Sequence, residues 1–171
     1  AGPKESARIE VNTDGTMSVY MGTSSVGQGV ETVFAQIAAD ALEVPIERIH
    51  HVYHGSTAYV SDGYGAYHSR STVMGGSAVL DATNNFMATL RQAAGKRMGC
   101  AESNVALDVD TVTGGGRSMA LKEFAGLTAE GAFLNKKHTY SYGAHAAHLT
   151  VDPKLGRIEI VDYVLVQDVG R

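Results

Sequence analysis

Apolar and polar residues alternate near the N-terminus, between residues 7 and 21. The apolar positions of this alternation are Ile9, Val11, Met17, Val19 and Met21. A period of two is typical of strands with one buried face. Residues 13–16, Thr-Asp-Gly-Thr, have turn composition and separate the two runs. The pattern therefore predicts a β-hairpin at the start of the chain.

The apolar spacing changes to that of a helix after Gly29. Apolar side chains fall on one helical face between residues 30 and 42, and Pro45 ends the pattern. A short strand is predicted at about residues 49–53. The following residues, 55–68, are rich in Gly, Ser and Tyr and have no clear period. An irregular stretch of roughly fourteen residues is typical of a functional loop.

A longer helix is predicted from Ser69 to about Met98. Its apolar positions are Val73, Val79, Leu80, Thr83, Phe86, Met87, Leu90, Ala94 and Met98. The pair Gly75-Gly76 lies early in this helix, where each glycine costs about 1 kcal/mol relative to alanine. We therefore expect this part of the helix to pack closely against another backbone.

The remaining pattern predicts shorter elements. Short strands at residues 105–109 and 117–120 are separated by three glycines, and residues 121–127 are predicted to form one or two helical turns. Residues 138–151 and 157–168 alternate as two strands around a turn at 152–156. The order hairpin, helix, strand, helix, hairpin predicts an α+β fold with helices packed on a mixed or antiparallel sheet. No linker is evident, so residues 1–171 are expected to be one fragment of a single domain.

Composition narrows the function classes. The chain has 171 residues, of which 44% are hydrophobic. Its net charge is -4, and acidic and basic residues are interspersed along the sequence. Without an extended positive field, nucleic acid and anionic membranes are poor partners. No apolar run approaches a membrane span and no signal peptide is evident, so a soluble, cytoplasmic protein is expected. The single cysteine, Cys100, excludes an iron–sulfur cluster carried by this chain alone.

Two segments have the composition of anion sites. Gly27-Gln28-Gly29 precedes the first helix, where glycines let backbone N–H groups approach a phosphate and Gln28 offers a donor and an acceptor. Residues 69–72, Ser-Arg-Ser-Thr, place three hydroxyls and a guanidinium in one turn at the second helix. Simpler alternatives are a plain connecting turn, and an N-cap by Ser69 with Arg70 exposed. Together the two segments favour a bulky, phosphate-bearing cofactor.

The seven histidines do not form a metal site by spacing. His50 and His54 would lie about 13 Å apart on one strand, while His145 and His148 would project to opposite faces of another. The carboxylates show no paired motif for acid–base chemistry. We therefore expect neither a metal ligand nor a catalytic residue in this chain.

Three segments in order resemble a known family. Residues 27–32 with Gln36 and residues 38–42 are similar to the Gly-Gln-Gly-x-x-Thr segment of the large, molybdopterin-binding subunit of the xanthine dehydrogenase and aldehyde oxidase family. Residues 69–72 resemble the family's next cofactor segment. The last segment resembles its following strand pair, with matches at residues 142–145, 151–153, 156 and 168–171.

The resemblance implies a molybdenum ion held by a molybdopterin, possibly in its cytosine dinucleotide form. It also implies oxidation of an aldehyde, purine or N-heterocycle with water as oxygen donor, and iron–sulfur clusters and FAD on other domains or subunits. By the same resemblance, Tyr67 and His68 would lie near the substrate approach. The residues that would hold the cofactor are Gly27, Gln28, Gly29, Ser69, Arg70, Ser71 and Thr72.

Departures from the family pattern limit what this chain does alone. It lacks the Gly-Gly-Phe-Gly and Phe-Arg-Gly segments, and the Gly-Glu-Gly segment whose glutamate is the family's general base. The chain is thus expected to be an excised part of a large subunit, inactive alone, with the rest of that subunit and the iron–sulfur and flavin subunits as partners. The alternatives are a stand-alone phosphate- or nucleotide-binding module and a non-catalytic scaffold paralogue.

Overall fold

The computed structural model describes residues 4–60, 63–136 and 140–169. The chain forms two compact units, Ala1–Lys136 and Lys137–Arg171. The strands are β1 (Lys4–Val11), β2 (Met17–Met21), β3 (Ile49–Tyr53), β4 (Ala106–Asp108), β5 (Thr111–Gly114), β6 (Arg117–Ala120), β7 (Thr128–Leu134), β8 (Gly143–Asp152) and β9 (Arg157–Gln167). Among the described residues, the α-helices are α1 (Val30–Leu42) and α2 (Ser77–Met98). Short helical turns are Ile46–Arg48, Glu102–Asn104 and Leu121–Phe124, and Ser71–Gly76 is a π-helical turn.

The main sheet of the first unit has the strand order β3-β2-β1-β7. Strand β1 pairs antiparallel with both β2 and β7, whereas β3 runs parallel to β2. The predicted N-terminal hairpin is confirmed, with Ile9 opposite Val19. A small antiparallel sheet, β4-β5-β6, lies in the same unit. The predicted α+β class is therefore confirmed, with a mixed main sheet.

The core lies between one face of the main sheet and the two helices. Alternate residues of β1 are buried there, together with the predicted apolar residues of β2, Met17, Val19 and Met21. Helix α2 comes so close to β7 that Gly131 has no room for a Cβ against the backbone of Ala82. The largest fully buried side chains include Phe34, Phe86, Ile9, Met17 and Leu90.

The long second helix differs from its prediction in two ways. It begins as a π-helical turn at Ser71 rather than at Ser69, and becomes α-helical at Ser77. Val73 and Leu80, expected on the apolar face, are exposed. Leu80 directly follows the buried Val79, which places it about 100° around the helix axis from that residue.

Two strands escape the sequence pattern. The structure adds β5 between the two predicted short strands, and adds β7, which pairs with β1 from Lys4 to Glu10. The helical turn predicted at residues 121–127 is shorter and ends at Phe124. No helix in the described ranges is long and apolar enough to cross a membrane.

The second unit contains an antiparallel hairpin of β8 and β9, so the predicted C-terminal hairpin is confirmed. Its turn is closed by Asp152, whose carboxylate accepts the backbone N–H groups of Lys154 and Leu155 at 2.8 and 3.2 Å. The predicted start of the first strand, at residues 138 and 139, lies outside the described residues.

Candidate functional site

The Gly-Gln-Gly turn lies directly before α1. Gly27 and Gly29 have φ values of +93° and +81°, a left-handed conformation that side chains with a Cβ rarely adopt. A Cβ built on either glycine would meet no atom within 4 Å. Backbone conformation rather than crowding therefore requires these glycines, and the turn is open to a ligand on that side. Gly29 is also the N-cap residue of α1, without a side-chain cap.

The side chain of Gln28 is oriented by its own loop. Its Oε1 atom accepts the backbone N–H of Val26 at 2.8 Å, and the N–H of Gly27 donates to the hydroxyl of Ser25 at 3.3 Å. Because the carboxamide oxygen already accepts one hydrogen bond inside the loop, the NH₂ group is the part of Gln28 best placed to bind a ligand. Gln28 thus faces a partner as a hydrogen-bond donor.

A second layer of residues supports this loop. The backbone N–H of Ser25 donates to His54 Nδ1 at 3.4 Å, and His54 Nε2 lies 3.1 Å from Glu31 Oε1. An acceptor role for Nδ1 places the imidazole proton on Nε2, facing the carboxylate. The pKa of Glu31 is held below its ordinary value by its own backbone N–H, by the Ser25 hydroxyl and by His54. These contacts tie the loop to the first turn of α1 and to the residue after β3.

The Ser69 to Thr72 segment has an unusual backbone. His68 and Ser69 both have positive φ values, +54° and +51°. Such a conformation costs a non-glycine residue about 1–3 kcal/mol and persists only where the surroundings enforce it, often at functional sites. Arg70 is the N-cap residue of the π-helical turn, and no side chain caps it. The alternative of an N-cap by Ser69 is therefore wrong.

Arg70 is buried rather than exposed. Its side chain is 5% exposed, and its Nη1 atom donates to Glu5 Oε2 at 2.6 Å. Nη2 donates to the backbone carbonyl of Lys4 at 3.1 Å, and the ring of Tyr64 lies 5.0 Å from the guanidinium carbon. Burial raises the pKa of the Glu5 carboxyl, and Arg70 opposes part of that rise. The sequence indicated Arg70 but not Glu5, its partner on β1.

The glycine pair brings the two segments together. A Cβ on Gly75 would lie 2.7 Å from Phe34, and one on Gly76 would lie 2.8 Å from Ile37. Both partners belong to α1, which starts at the Gly-Gln-Gly turn. The expected close packing is present, although its partners are side chains rather than another backbone. The two helix starts are consequently held side by side.

A cavity of about 400 Å³ lies between the two segments, within the usual size range of cofactor pockets. Six of the nine site residues predicted from the sequence line this cavity, whereas Gly27, Gly29 and His68 do not. Tyr67 is half-exposed, and its ring contacts His68 at 5.4 Å between centroids. The residues that line the cavity are Val26, Gln28, Val30, Val33, Ala66, Tyr67, Ser69, Arg70, Ser71 and Thr72.

Sequence reasoning missed the apolar wall of this cavity. Val26, Val30, Val33 and Ala66 line it, and the helical pattern had assigned two of these valines only to the core. A more open cavity of about 590 Å³ lies by the β1–β2 turn and includes none of the predicted residues. Within the described residues, no three His, Cys, Asp or Glu side chains are grouped so as to hold a metal ion.

Known proteins resemble the whole chain. The family described as "Molybdopterin cofactor-binding domain" matches residues 1–171. The chain is 30% identical over 184 residues to the 6-hydroxypseudooxynicotine dehydrogenase complex subunit gamma of Paenarthrobacter nicotinovorans, covering 98% of this chain and 23% of that protein. It is 29% identical over 182 residues to the carbon monoxide dehydrogenase large chain of Afipia carboxidovorans, covering 97% and 22%.

A solved structure is also similar to this chain along nearly its whole length. Quinoline 2-oxidoreductase from Pseudomonas putida 86 matches with a TM-score of 0.70 and 28% identity, over 98% of this chain and 23% of that chain. The present chain therefore spans less than a quarter of the length of these relatives.

Proposed function

Because this chain belongs to the molybdopterin cofactor-binding domain family, we propose that it is the cofactor-binding portion of a molybdenum hydroxylase. The observation that carries the proposal is the convergence of the Gly-Gln-Gly turn and the Ser69 to Thr72 segment on one cavity. The longer protein would oxidise an aldehyde, a purine or an N-heterocycle with water as oxygen donor. The relatives named above are dehydrogenases or oxidoreductases, which supports this reaction class.

The residues that line the cavity fit the proposed cofactor. Hydroxyls of Ser69, Ser71 and Thr72 and the first N–H groups of the following helix are donors suited to a phosphate or pyrophosphate. The NH₂ group of Gln28 would donate to an acceptor atom at the other end of the cofactor. No atom lies within 4 Å of a Cβ built on Gly27 or Gly29, which leaves that side of the turn open for a large ligand. Arg70 would help to hold the cofactor at this site, although its side chain is buried.

The bound molybdopterin would supply the metal centre at which the substrate is oxidised. This chain would bind and orient the cofactor, and the exposed ring of Tyr67 with His68 would narrow the substrate approach. The expected partners are the rest of the large subunit and the subunits or domains with iron–sulfur clusters and FAD. One relative is named as a subunit of a dehydrogenase complex, which supports this expectation.

The reaction class is tested with the full-length protein that contains this chain, purified from a host that makes the cofactor. Aldehydes, purines and N-heterocycles are offered in water enriched in a heavy oxygen isotope, and products are analysed by mass spectrometry. We expect one product class to carry the label from water. Unlabelled product formed under labelled water, or no turnover in a cofactor-loaded protein, would contradict the hydroxylase proposal.

The form of the cofactor is tested separately. We propose the cytosine dinucleotide as an option because the segment at residues 69–72 has donors enough for a pyrophosphate. Mild acid hydrolysis of the loaded protein releases cytidine monophosphate from the dinucleotide but not from the plain pterin, and chromatography distinguishes the two. Release of cytidine monophosphate in step with pterin supports the dinucleotide form, and pterin without it supports the plain form.

A further inference from the structure

An ion pair inside the first unit joins β1 to the cofactor segment. Glu5 is fully buried, at 0% exposure, on the face of β1 that packs against the helices. Its Oε2 atom accepts from Arg70 Nη1 at 2.6 Å, across 65 positions of sequence. A buried ion pair loses much hydration free energy and is weak evidence of a stability device. A role in fixing one local conformation is a better-attested use of such a pair.

The surroundings of Arg70 indicate which conformation is fixed. Its guanidinium donates to Glu5 and to the Lys4 carbonyl and lies against the ring of Tyr64. The carbonyl of Tyr64 is itself bound by the hydroxyl of Thr23, a fully buried residue after β2. Arg70 is thus anchored to β1, and the loop before it is anchored through Tyr64 to the segment after β2.

The anchored residue is the one that starts the helix. Arg70 is the N-cap of the π-helical turn and directly follows the left-handed residues His68 and Ser69. Because left-handed L-residues relax unless their surroundings enforce the conformation, an inward anchor at Arg70 is well placed to enforce it. The same anchor fixes the direction in which Ser69, Ser71 and Thr72 face the cavity.

We propose that Glu5 is a positioning residue for the cofactor, which holds Arg70 inward so that the adjoining hydroxyls and N–H groups face the phosphate. This inference rests on the proposed function. It assigns Arg70 an indirect role, in place of a direct ionic contact with the phosphate. Residues that orient the ligands of a metal ion typically change metal affinity by about 10–100-fold when they are replaced, and we expect a similar range for a residue that orients phosphate donors.

The test uses Glu5→Gln, Arg70→Gln and the double variant in the full-length protein. The measured quantity is the half-life of bound pterin after dilution, determined on folded, gel-filtered protein. We expect both single variants to shorten this half-life by about 10–100-fold. The double variant should be no worse than either single one, because the two residues act as one unit. Arg48→Gln, which removes an arginine bound to the Gly15 carbonyl away from the cavity, is the matched control and should keep the wild-type half-life.

A second readout separates positioning from general stability. Amide hydrogen exchange at residues 68–73 should accelerate in Glu5→Gln while exchange in α1 and β2 stays as in the wild type. If Glu5→Gln does not fold, Glu5→Asp keeps the charge and shortens the reach, and the same local acceleration is expected.

Several outcomes would overturn the proposal. Loss of pterin in Arg70→Gln with full retention in Glu5→Gln would make Arg70 a direct phosphate ligand, and retention in both variants would make the pair structural only. Exchange that accelerates evenly across the unit in Glu5→Gln would also make its role structural. A wild-type protein that is folded and carries no pterin would instead refute the proposed function, and this inference with it.

Discussion

At the scale of single residues, the orientation of Gln28 decides what the Gly-Gln-Gly turn presents to a ligand. Its Oε1 atom is bound to the N–H of Val26 at 2.8 Å, so the NH₂ group remains for the ligand. A glutamate at this position would keep the acceptor and remove the donor. The substitution therefore separates the loop's own structure from ligand binding.

We predict that Gln28→Glu lowers the molybdenum and pterin content of the full-length protein. The unfolding free energy should change by no more than about 0.5 kcal/mol, as for a surface substitution. Metal analysis, pterin fluorescence and chemical denaturation measure these quantities. Gln36→Glu, the same change at an exposed site on α1, is the control and should leave both unchanged. Full cofactor content in Gln28→Glu would contradict a role for this residue in binding the cofactor.

Glu31 gives a prediction for pH. Its folded-state pKa is lowered, chiefly by its own backbone N–H and the Ser25 hydroxyl, so its contribution to stability is present above the ordinary glutamate pKa, about 4.3. That contribution is lost as the pH falls through the lowered value. The difference in unfolding free energy between wild type and Glu31→Gln should therefore shrink on acidification below about pH 4.3. Urea unfolding across pH measures it, with the exposed Glu47→Gln as control. A pH-independent difference would contradict the assignment.

The sequence indicated which residue types form the Ser69 to Thr72 segment, but not which way the side chain of Arg70 points. The pattern Ser-Arg-Ser-Thr indicated an anion site, and Ser69, Ser71 and Thr72 do line the cavity. The inward turn of Arg70 depends on Glu5, which is 65 positions away and has no local signal. Positive φ at His68 and Ser69 is likewise set by tertiary contacts and not by residue type.

At the scale of elements, packing between the π-helical turn and α1 sets the distance between the Gly-Gln-Gly turn and the Ser69 to Thr72 segment. Gly75 faces the end of the Phe34 ring, with no space for a Cβ. Overpacking of a dense core costs about 1–3 kcal/mol. A methyl group at Gly75 would therefore push the two helix starts apart.

We predict that Gly75→Ala destabilises the protein by about 1–3 kcal/mol and shortens pterin retention. Phe34→Leu alone shortens the opposing side chain, and the double variant Gly75→Ala with Phe34→Leu should recover part of both losses. Denaturant unfolding and the pterin half-life measure the two effects. Losses that add in the double variant, with no recovery, would show that the contact with Phe34 is not the cause.

Elements with a strong apolar period were predictable, and those built from small residues were not. The N-terminal hairpin, α1 and the β8–β9 hairpin each have a clear period. Strand β7 was missed because its core-facing positions include Ala129 and Gly131, which are small where α2 approaches the strand. Strand β5 has a single apolar residue larger than glycine, Val112, and is defined by pairing with its neighbours.

At the scale of the whole molecule, we propose that the chain supplies part of a larger site. The α+β fold places two helix starts at one cavity, and the family match covers residues 1–171. The relatives are more than four times as long. The proposed activity and electron-transfer partners therefore belong to the longer protein. The proposed contribution of this chain is to bind the cofactor.

Binding of molybdopterin is tested by the molybdenum and pterin content of the full-length protein, purified from a host that makes the cofactor. Molybdenum is determined by mass spectrometry and pterin by fluorescence after release. We expect both in near-stoichiometric amounts with the folded chain. A folded protein that carries neither would contradict this expectation and would favour a nucleotide-binding module or a scaffold without redox chemistry.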